Sequence, residues 1–146
     1  ASDAGYGFIV QLKELFAKNK AGKALLTLPK GARVLAPVEV KDTNSDRVVA
    51  ITNEGRMLVF PIAELPVLSR GKGNKIINIP AKRVESREEF VVAIACVPEG
   101  GKLTAYSGKR HITLKGSDLD HYEGERGRRG NKLPRGFQKV DDVSVE

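Results

Sequence analysis

The chain has 146 residues and a mass of 15.9 kDa, with 40% hydrophobic residues, 29% charged residues, a net charge of +7 and a pI near 9.6. This composition fits one globular domain or a few small repeated units, and the positive charge favours a polyanionic partner such as nucleic acid or an anionic membrane surface. A single cysteine excludes an internal disulfide framework and a cysteine-based zinc site, and no apolar run reaches the ~18 residues that cross a bilayer.

Three related segments follow one another along the chain, at 2–15, 52–65 and 105–119. Each contains a turn glycine (Gly5, Gly55 or Gly108), which we call the marker, then a short apolar strand, which we call the marker strand, and an acidic residue followed by leucine. This recurrence predicts approximate repeats 1–51, 52–104 and 105–146 within one domain. Because the first repeat begins partway through the pattern, the sequence also predicts that the chain is a fragment of a larger protein.

The apolar runs between these markers predict an all-β fold. The second repeat rules out a long helix in this part of the pattern because Pro61 would break it, so only short helical turns are expected near Glu14 and Glu64. Strands are predicted in chain order at 24–29, 33–40, 47–52, 57–60, 75–80, 90–97 and 102–107, with a final strand within 140–146. About four strands in roughly 50 residues is the size of a propeller-type blade, so the chain predicts two to three four-stranded blades.

A basic, glycine-bearing segment follows each marker, and we call these segments the first box (18–23), the second box (69–75) and the third box (125–132). Lysine and arginine supply the charge that a phosphate needs, and glycine lets the main chain approach it closely. The candidate DNA-binding residues are Lys18, Lys20, Lys23, Arg70, Lys72, Lys75, Arg126, Arg128, Arg129, Lys132 and Arg135. The candidate glycines for phosphate approach are Gly22, Gly71, Gly73, Gly127 and Gly130.

Equivalent positions in successive blades would bring the boxes to one rim, where they would form a curved positive track for duplex DNA. A single lysine- and glycine-rich segment is more often a solvated turn, and the third box alone could be a disordered tail. Recurrence in three units favours the DNA interpretation. The main alternative is a non-catalytic, propeller-like scaffold that binds a protein, with the charge serving solubility.

No catalytic constellation, metal site or nucleotide-binding loop is found in the sequence. The glycine-lysine segments lack the G-x-x-x-x-G-K-[ST] spacing of a phosphate-binding loop, and Cys96 and His111 are expected to be packed in strands. We therefore expect no catalytic residue and no metal ligand. An enzyme with an unrecognised site is a third possibility, which clustered carboxylates in a cleft would reveal.

The repeat, its turn glycine and the stretch GERGRRGNKLPRGF following GKRHITLKGSDLDHY resemble the C-terminal domain of bacterial topoisomerase IV A subunits, relatives of the DNA gyrase A subunit. The resemblance implies a β-pinwheel, a propeller-like array whose blades exchange strands and whose rim binds and bends duplex DNA. The catalytic tyrosine of that family lies outside this chain. The chain would then hold no cofactor, and ATP and Mg²⁺ would bind elsewhere in the holoenzyme.

By this resemblance the partners are duplex DNA, the rest of the A subunit, and the B subunit of a heterotetramer, with no small-molecule substrate. The location would be the bacterial cytoplasm and nucleoid, with peripheral inner-membrane association of the holoenzyme as a further possibility. The domain would steer DNA segments to the catalytic core for decatenation and supercoil relaxation.

The gyrase motif Q-R-R-G-G-K-G is only partly matched by the three boxes. The third box keeps Arg128, Arg129, Gly130 and Lys132 and has Asn131 where the motif has glycine. The second box keeps residues 70–73, and the first keeps only Lys20, Gly22 and Lys23. This pattern is closer to the weaker DNA-bending module of topoisomerase IV than to the fully wrapping domain of gyrase.

Overall fold

A computed structural model describes residues 1–15 and 25–146 of the chain. Within these residues there are nine strands, two short α-helices (α1, Ala81–Glu85; α2, Gly116–Asp120) and two 3-10 helices (Leu12–Leu15 and Ile62–Glu64). The strands are β1 (Tyr6–Gly7), β2 (Arg47–Thr52), β3 (Arg56–Pro61), β4 (Asn74–Lys75), β5 (Val91–Val97), β6 (Leu103–Ser107), β7 (Arg110–Leu114), β8 (Asn131–Lys132) and β9 (Asp142–Val145).

The strands form three antiparallel sheets that draw on distant parts of the chain. The largest sheet has the order β5-β2-β3-β8, the next has the order β7-β6-β9, and β1 pairs with β4. A turn at Gly55 joins β2 to β3, and a register shift interrupts the pairing of β2 with β5 between Ile51 and Thr52. The four-stranded sheet therefore contains strands from all three predicted repeats.

Both faces of the four-stranded sheet are buried. Val49, Ile51 and Met57 lie in a core shared with the three-stranded sheet and α2, whereas Val48 and Phe60 lie in a second core. The second core also takes up Ile76, Ile77 and Ile79, which follow the second box. Because successive side chains of a strand point to opposite faces, burial of both faces explains the uninterrupted apolar runs of β2 and β3.

The all-β expectation is confirmed, and the strands predicted at 47–52, 57–60, 90–97 and 102–107 are all present with small shifts of their ends. The final strand is also confirmed, because β9 pairs with β6. The short helical turns near Glu14 and Glu64 are the two 3-10 helices.

Three other strand predictions are wrong. Described residues 25–40 contain only isolated bridges, from Leu26 to Gly71 and from Ser2 to Val34, and the predicted strand at 75–80 is reduced to Lys75 in β4. Ile76, Ile77 and Ile79 are nevertheless buried. The apolar residues of 75–80 report burial correctly, but a strand also needs hydrogen-bonding neighbours on the ladder, and the described residues beside these segments supply only single bridges and the two-residue pairing of β4 with β1.

Candidate nucleic-acid interface

The second and third boxes each add a two-residue strand to the marker strand of the preceding repeat. In β4 and β8 the residues are Asn-Lys, and the lysine lies opposite the residue that follows the turn glycine: Lys75 opposite Tyr6, and Lys132 opposite Arg56. The registers of the two pairings are therefore the same. This equivalence shows that the box recurrence seen in the sequence is a recurrence in structure.

Glycine is required at one position of each of these two boxes. Gly73 and Gly130 have φ values of 81° and 74°, and a Cβ on either would collide with a backbone carbonyl oxygen, that of Gly7 or of Met57. Only glycine tolerates both the left-handed conformation and the close approach. Gly71, by contrast, has a φ of 128° and open space around it. The roles of these glycines in phosphate approach stay a prediction.

Each box also contacts the segment that follows the preceding box. The Asn78 amide donates to the Arg128 carbonyl at 2.9 Å, and the Gly127 amide donates to the Ile76 carbonyl at 2.9 Å. One repeat earlier, the Thr27 amide donates to the Gly71 carbonyl at 2.9 Å. The third box is thus fixed against the end of the second, and the second against residues 25–27, so that the second and third boxes lie side by side. Lys18, Lys20, Gly22 and Lys23 of the first box lie outside the described residues.

The cations of the second and third boxes are unequal in exposure. Lys75 and Arg126 are half-buried, and one Arg126 Nη donates to the Lys75 carbonyl at 2.7 Å, which joins the two boxes. The Lys72 Nζ lies 4.6 Å from the centre of the Tyr6 ring, a cation–π distance. The exposed cations of the two boxes, which are accessible to a polyanion, are Arg70, Lys72, Arg128 and Lys132, and Arg135, just beyond the third box, is also exposed.

Arg129 differs from its neighbours because its guanidinium is held by protein groups. It donates to both carboxylate oxygens of Glu89, at 2.6 and 2.8 Å, and to the Asn78 carbonyl at 2.7 Å. Glu89 is fully buried. Burial by itself would raise the pKa of Glu89, but the hydrogen bonds and charge of Arg129, with the nearby charge of Arg83, hold that pKa below its ordinary value.

The third box also contains an acidic residue, Glu125. Its carboxylate lies 3.0 Å from the Arg128 guanidinium, and both side chains are more than 70% exposed. An exposed pair of this kind contributes little to stability because water and salt screen it. Arg128 is therefore still accessible to a polyanion.

The residues with reactive chemistry show no arrangement for catalysis in the part of the chain that the structure describes. Burial raises the pKa of the half-buried Cys96 thiol to about 11, so it is protonated at neutral pH. His111 is exposed, which corrects the expectation that it is partly packed. The described residues contain no group of three or more potential metal ligands, and none of their helices is long and apolar enough to cross a membrane.

Comparison with known proteins reveals extensive similarity to the A subunit of bacterial DNA topoisomerase 4. The A subunit of DNA topoisomerase 4 from Pseudomonas aeruginosa is 59% identical over 146 residues, which are 100% of this chain and 19% of that protein. A solved structure of the E. coli ParC C-terminal domain is 49% identical and superposes with a TM-score of 0.91, over 100% of this chain and 58% of that chain. The chain spans about a fifth of the length of the curated relatives it matches.

More distant similarity supports the same fold. A structure of the DNA gyrase A C-terminal domain has a TM-score of 0.72 at 17% identity, over 99% of this chain and 47% of that chain. A family model described as DNA gyrase C-terminal domain, beta-propeller, matches residues 1–41 and 46–98. The resemblance to topoisomerase IV A subunits is thereby confirmed, as is the predicted β-pinwheel of two to three blades. Because two boxes pair with marker strands in the same register, and because the sequence and the fold match these proteins, the chain belongs to the DNA gyrase A C-terminal domain family.

Proposed function

We propose that this chain binds duplex DNA without sequence preference and bends it, as the C-terminal part of a topoisomerase IV A subunit. The observation that carries the proposal is that the third box contacts the end of the second box and the residue after it, through Arg126 and the Lys75 carbonyl and through the Gly127 amide and the Ile76 carbonyl. These adjoining boxes carry the exposed cations Arg70, Lys72, Arg128 and Lys132, and we infer that they form one basic surface. That surface suits a phosphate backbone, which presents one charge per ~1.7 Å of duplex axis.

The boxes suit backbone binding better than base reading. They are loops that end in two-residue strands, and the part of the chain that the structure describes has no helix longer than five residues that could enter a major groove. Phosphate contacts position a duplex without specifying its sequence. Successive boxes in register would then curve the duplex along the rim, as basic surfaces do without base contacts.

In the assembled enzyme, this surface would steer DNA segments to the catalytic core for decatenation and supercoil relaxation. The partners that we propose are duplex DNA, the B subunit, and the remainder of the A subunit. The proposed location is the bacterial cytoplasm and nucleoid. ATP and Mg²⁺ would act in other parts of the holoenzyme. The support for this assignment is the similarity to the topoisomerase 4 A subunit of Pseudomonas aeruginosa described above.

The test compares exposed cations inside and outside the boxes. Arg128→Gln with Lys132→Gln, and separately Arg70→Gln with Lys72→Gln, are titrated against a random-sequence duplex at several salt concentrations. We expect each pair to weaken binding and to lower the slope of log K against log salt by about 0.9 for each phosphate that is no longer bound. Lys41→Gln with Lys102→Gln is the matched control, because both lysines are exposed and lie outside the boxes.

Bending is tested by the length of the duplex. A duplex long enough to curve over both boxes should bind more tightly than a short one. The gain in affinity should exceed the gain that comes simply from the larger number of binding positions on a longer duplex. If the box variants bind as tightly as the control variant, with the same salt slope, the proposal is wrong. If they weaken binding but length has no effect, binding stands and bending fails.

A second candidate function is a non-catalytic, propeller-like scaffold for a protein partner. It is favoured by several exposed apolar side chains in the first 67 residues, of which Leu12 is 79% exposed and Val34 is 64% exposed. A partner held by such side chains would bind with little dependence on salt, whereas DNA binding would weaken steeply. Salt dependence of the strongest interaction therefore separates the two candidates.

A further inference from the structure

We propose that Glu89 is a positioning residue for DNA binding, and that Arg129 acts through Glu89 rather than by contacting phosphate. The inference rests on the proposed DNA-binding function. In this arrangement the buried carboxylate draws the Arg129 side chain inward and thereby sets the conformation of the third box. The exposed cations on either side of Arg129 are then presented outward.

The geometry of the pair is that of a structural anchor. Glu89 is 0% exposed and receives two guanidinium hydrogen bonds, while a third holds Arg129 on the Asn78 carbonyl. Two parallel bonds between an arginine and a carboxylate fix the relative orientation of both groups. Turning Arg129 outward to a phosphate would leave a buried, unpaired carboxylate, which is costly.

Glu89 cannot easily follow a movement of the box, because its own segment is fixed by Asn53. The Asn53 side chain donates to the Glu88 carbonyl at 3.1 Å and accepts from the Phe90 amide at 2.9 Å. The Asn53 amide also donates to the Phe90 carbonyl at 3.0 Å. The backbone on both sides of Glu89 is thus hydrogen-bonded to Asn53, in the turn between β2 and β3.

The surrounding charges complete a closed network. Arg83, in α1, pairs with Glu54, in the same β2–β3 turn, and its charge also acts on Glu89. Two acids and two bases therefore balance one another beside the third box. Because the network is neutral, Arg129 adds nothing to the free positive charge of the surface even though it lies within the box.

The backbone of the box depends on this anchor. Immediately before Arg129, the Arg128 carbonyl accepts from the Asn78 amide, and immediately after it Gly130 docks against Met57. With the intervening side chain drawn to Glu89, Arg128 points to solvent with 71% of its side chain exposed. Removing the anchor should loosen residues 127–131 and misplace Arg128 and Lys132.

The two roles of Arg129 predict opposite signs for Glu89→Gln. If Arg129 contacts phosphate, the substitution removes a negative charge and frees a cation, so DNA should bind more tightly. If Glu89 positions the box, DNA should bind more weakly although the protein has become more positive. We expect affinity to fall by about tenfold, which is 1.4 kcal/mol.

The experiment measures DNA affinity, its salt dependence and amide hydrogen exchange at 127–131 for Glu89→Gln, Arg129→Gln and the apolar double variant Glu89→Leu with Arg129→Met. Asp3→Asn is the matched control, because it breaks another buried pair, Asp3 with Arg87 at 2.8 Å, which reaches the segment that carries Glu89 but leaves the Glu89–Arg129 pair intact. Both single variants should speed exchange and weaken binding alike. The double variant, which leaves no buried charge unpaired, should recover order and affinity although Arg129 is gone.

Tighter or unchanged binding by Glu89→Gln would overturn the inference, as would a double variant that is ordered at 127–131 yet binds as weakly as Arg129→Gln. A loss in Asp3→Asn equal to that in Glu89→Gln would also overturn it, because general destabilisation would then suffice. Failure of the proposed function is distinguishable, since it would leave binding unchanged in the Arg128→Gln with Lys132→Gln variant.

Discussion

The second and third boxes dock through the same backbone geometry but are held by different side chains. Lys72 and Arg129 each precede the glycine that contacts the neighbouring strand. Lys72 lies over the Tyr6 ring, whereas Arg129 is paired with the buried Glu89. The main-chain docking is therefore the same in the two boxes, whereas the side-chain contacts of each cation depend on its local neighbours.

The difference has a physical cause in the marker strands. The residue opposite the box lysine is Tyr6 in the earlier unit and Arg56 in the later one. Tyrosine offers a ring face that attracts Lys72. Arg56 carries a like charge and donates to the Gly130 carbonyl at 3.4 Å, so Arg129 must find its partner elsewhere, and Glu89 supplies it.

We expect the strongest destabilisation from substitutions that disturb the backbone docking shared by the two boxes. Gly73→Ala and Gly130→Ala should each lower the free energy of unfolding by about 4 kcal/mol or more, at the upper end of single substitutions, because the new Cβ meets a backbone carbonyl. Urea denaturation measures both. Gly108→Ala is the control, since Gly108 has a similar φ of 59° but open space, and should cost roughly 1 kcal/mol. Unequal losses at Gly73 and Gly130 would break the equivalence of the boxes.

The next effect tests the anchor that the third box alone possesses. Since the pKa of Glu89 is lowered in the folded protein, its ionised form stabilises the fold above its ordinary pKa of 4.5, and this contribution is lost as the pH falls below that value. At pH 7, Glu89→Gln should be less stable than the original protein by roughly 1.5 to 3 kcal/mol, typical of a charged hydrogen bond. The gap should narrow as the pH is lowered below 4.5 and through the lowered pKa of Glu89. A gap that stays constant over this range would contradict the ion-pair account.

A smaller effect tests the anchor of the second box. Tyr6→Leu keeps an apolar side chain but removes the ring face beneath Lys72, so we expect a loss of roughly 0.5 to 1 kcal/mol in the free energy of unfolding. Hydrogen exchange should quicken at Gly71 and Gly73 and stay unchanged at 127–131. Tyr106→Leu, on an exposed strand position without a box, serves as the control. Faster exchange in the third box would show that the two anchors are not independent.

The weakest effect on stability is expected for Glu125, an acidic residue that only the third box contains. Glu125→Gln removes an exposed pair with Arg128 and should change the free energy of unfolding by less than about 0.5 kcal/mol. DNA affinity should rise by roughly twofold at low salt, because a negative charge is removed beside a proposed phosphate contact. Fluorescence anisotropy can detect this gain. Weaker binding would mean that Glu125 helps to orient Arg128.

Much of the fold follows from the sequence because long apolar runs such as β2, β3 and β5 have few alternatives to a buried strand. The repeat was detectable for a similar reason, since the turn glycines Gly5 and Gly55 and the box glycines Gly73 and Gly130 occupy positions that strongly disfavour a side chain. The segments at 24–29, 33–40 and 75–80 show where a strand prediction from apolar residues alone fails. Their apolar residues are similar to those of true strands, but only the surrounding structure determines whether a ladder partner lies beside them.

The candidate site was only partly accessible in the same way. Charge, glycine content and recurrence predicted the boxes, but they gave Arg128 and Arg129 the same role although only Arg128 is exposed. Nothing local distinguishes the two arginines. The distinguishing partner, Glu89, is 40 residues away and lies in an acidic turn that resembles an ordinary solvated loop.

Residue types and short-range spacing were enough to predict the all-β class, the recurrence of the boxes and their basic, glycine-bearing character, because these features depend only on the local sequence. The tertiary structure alone decided which strands pair, which boxes touch and which cations are already neutralised. Those properties depend on side chains brought together from distant parts of the chain. A buried carboxylate can hold an arginine only after the fold has removed both from water.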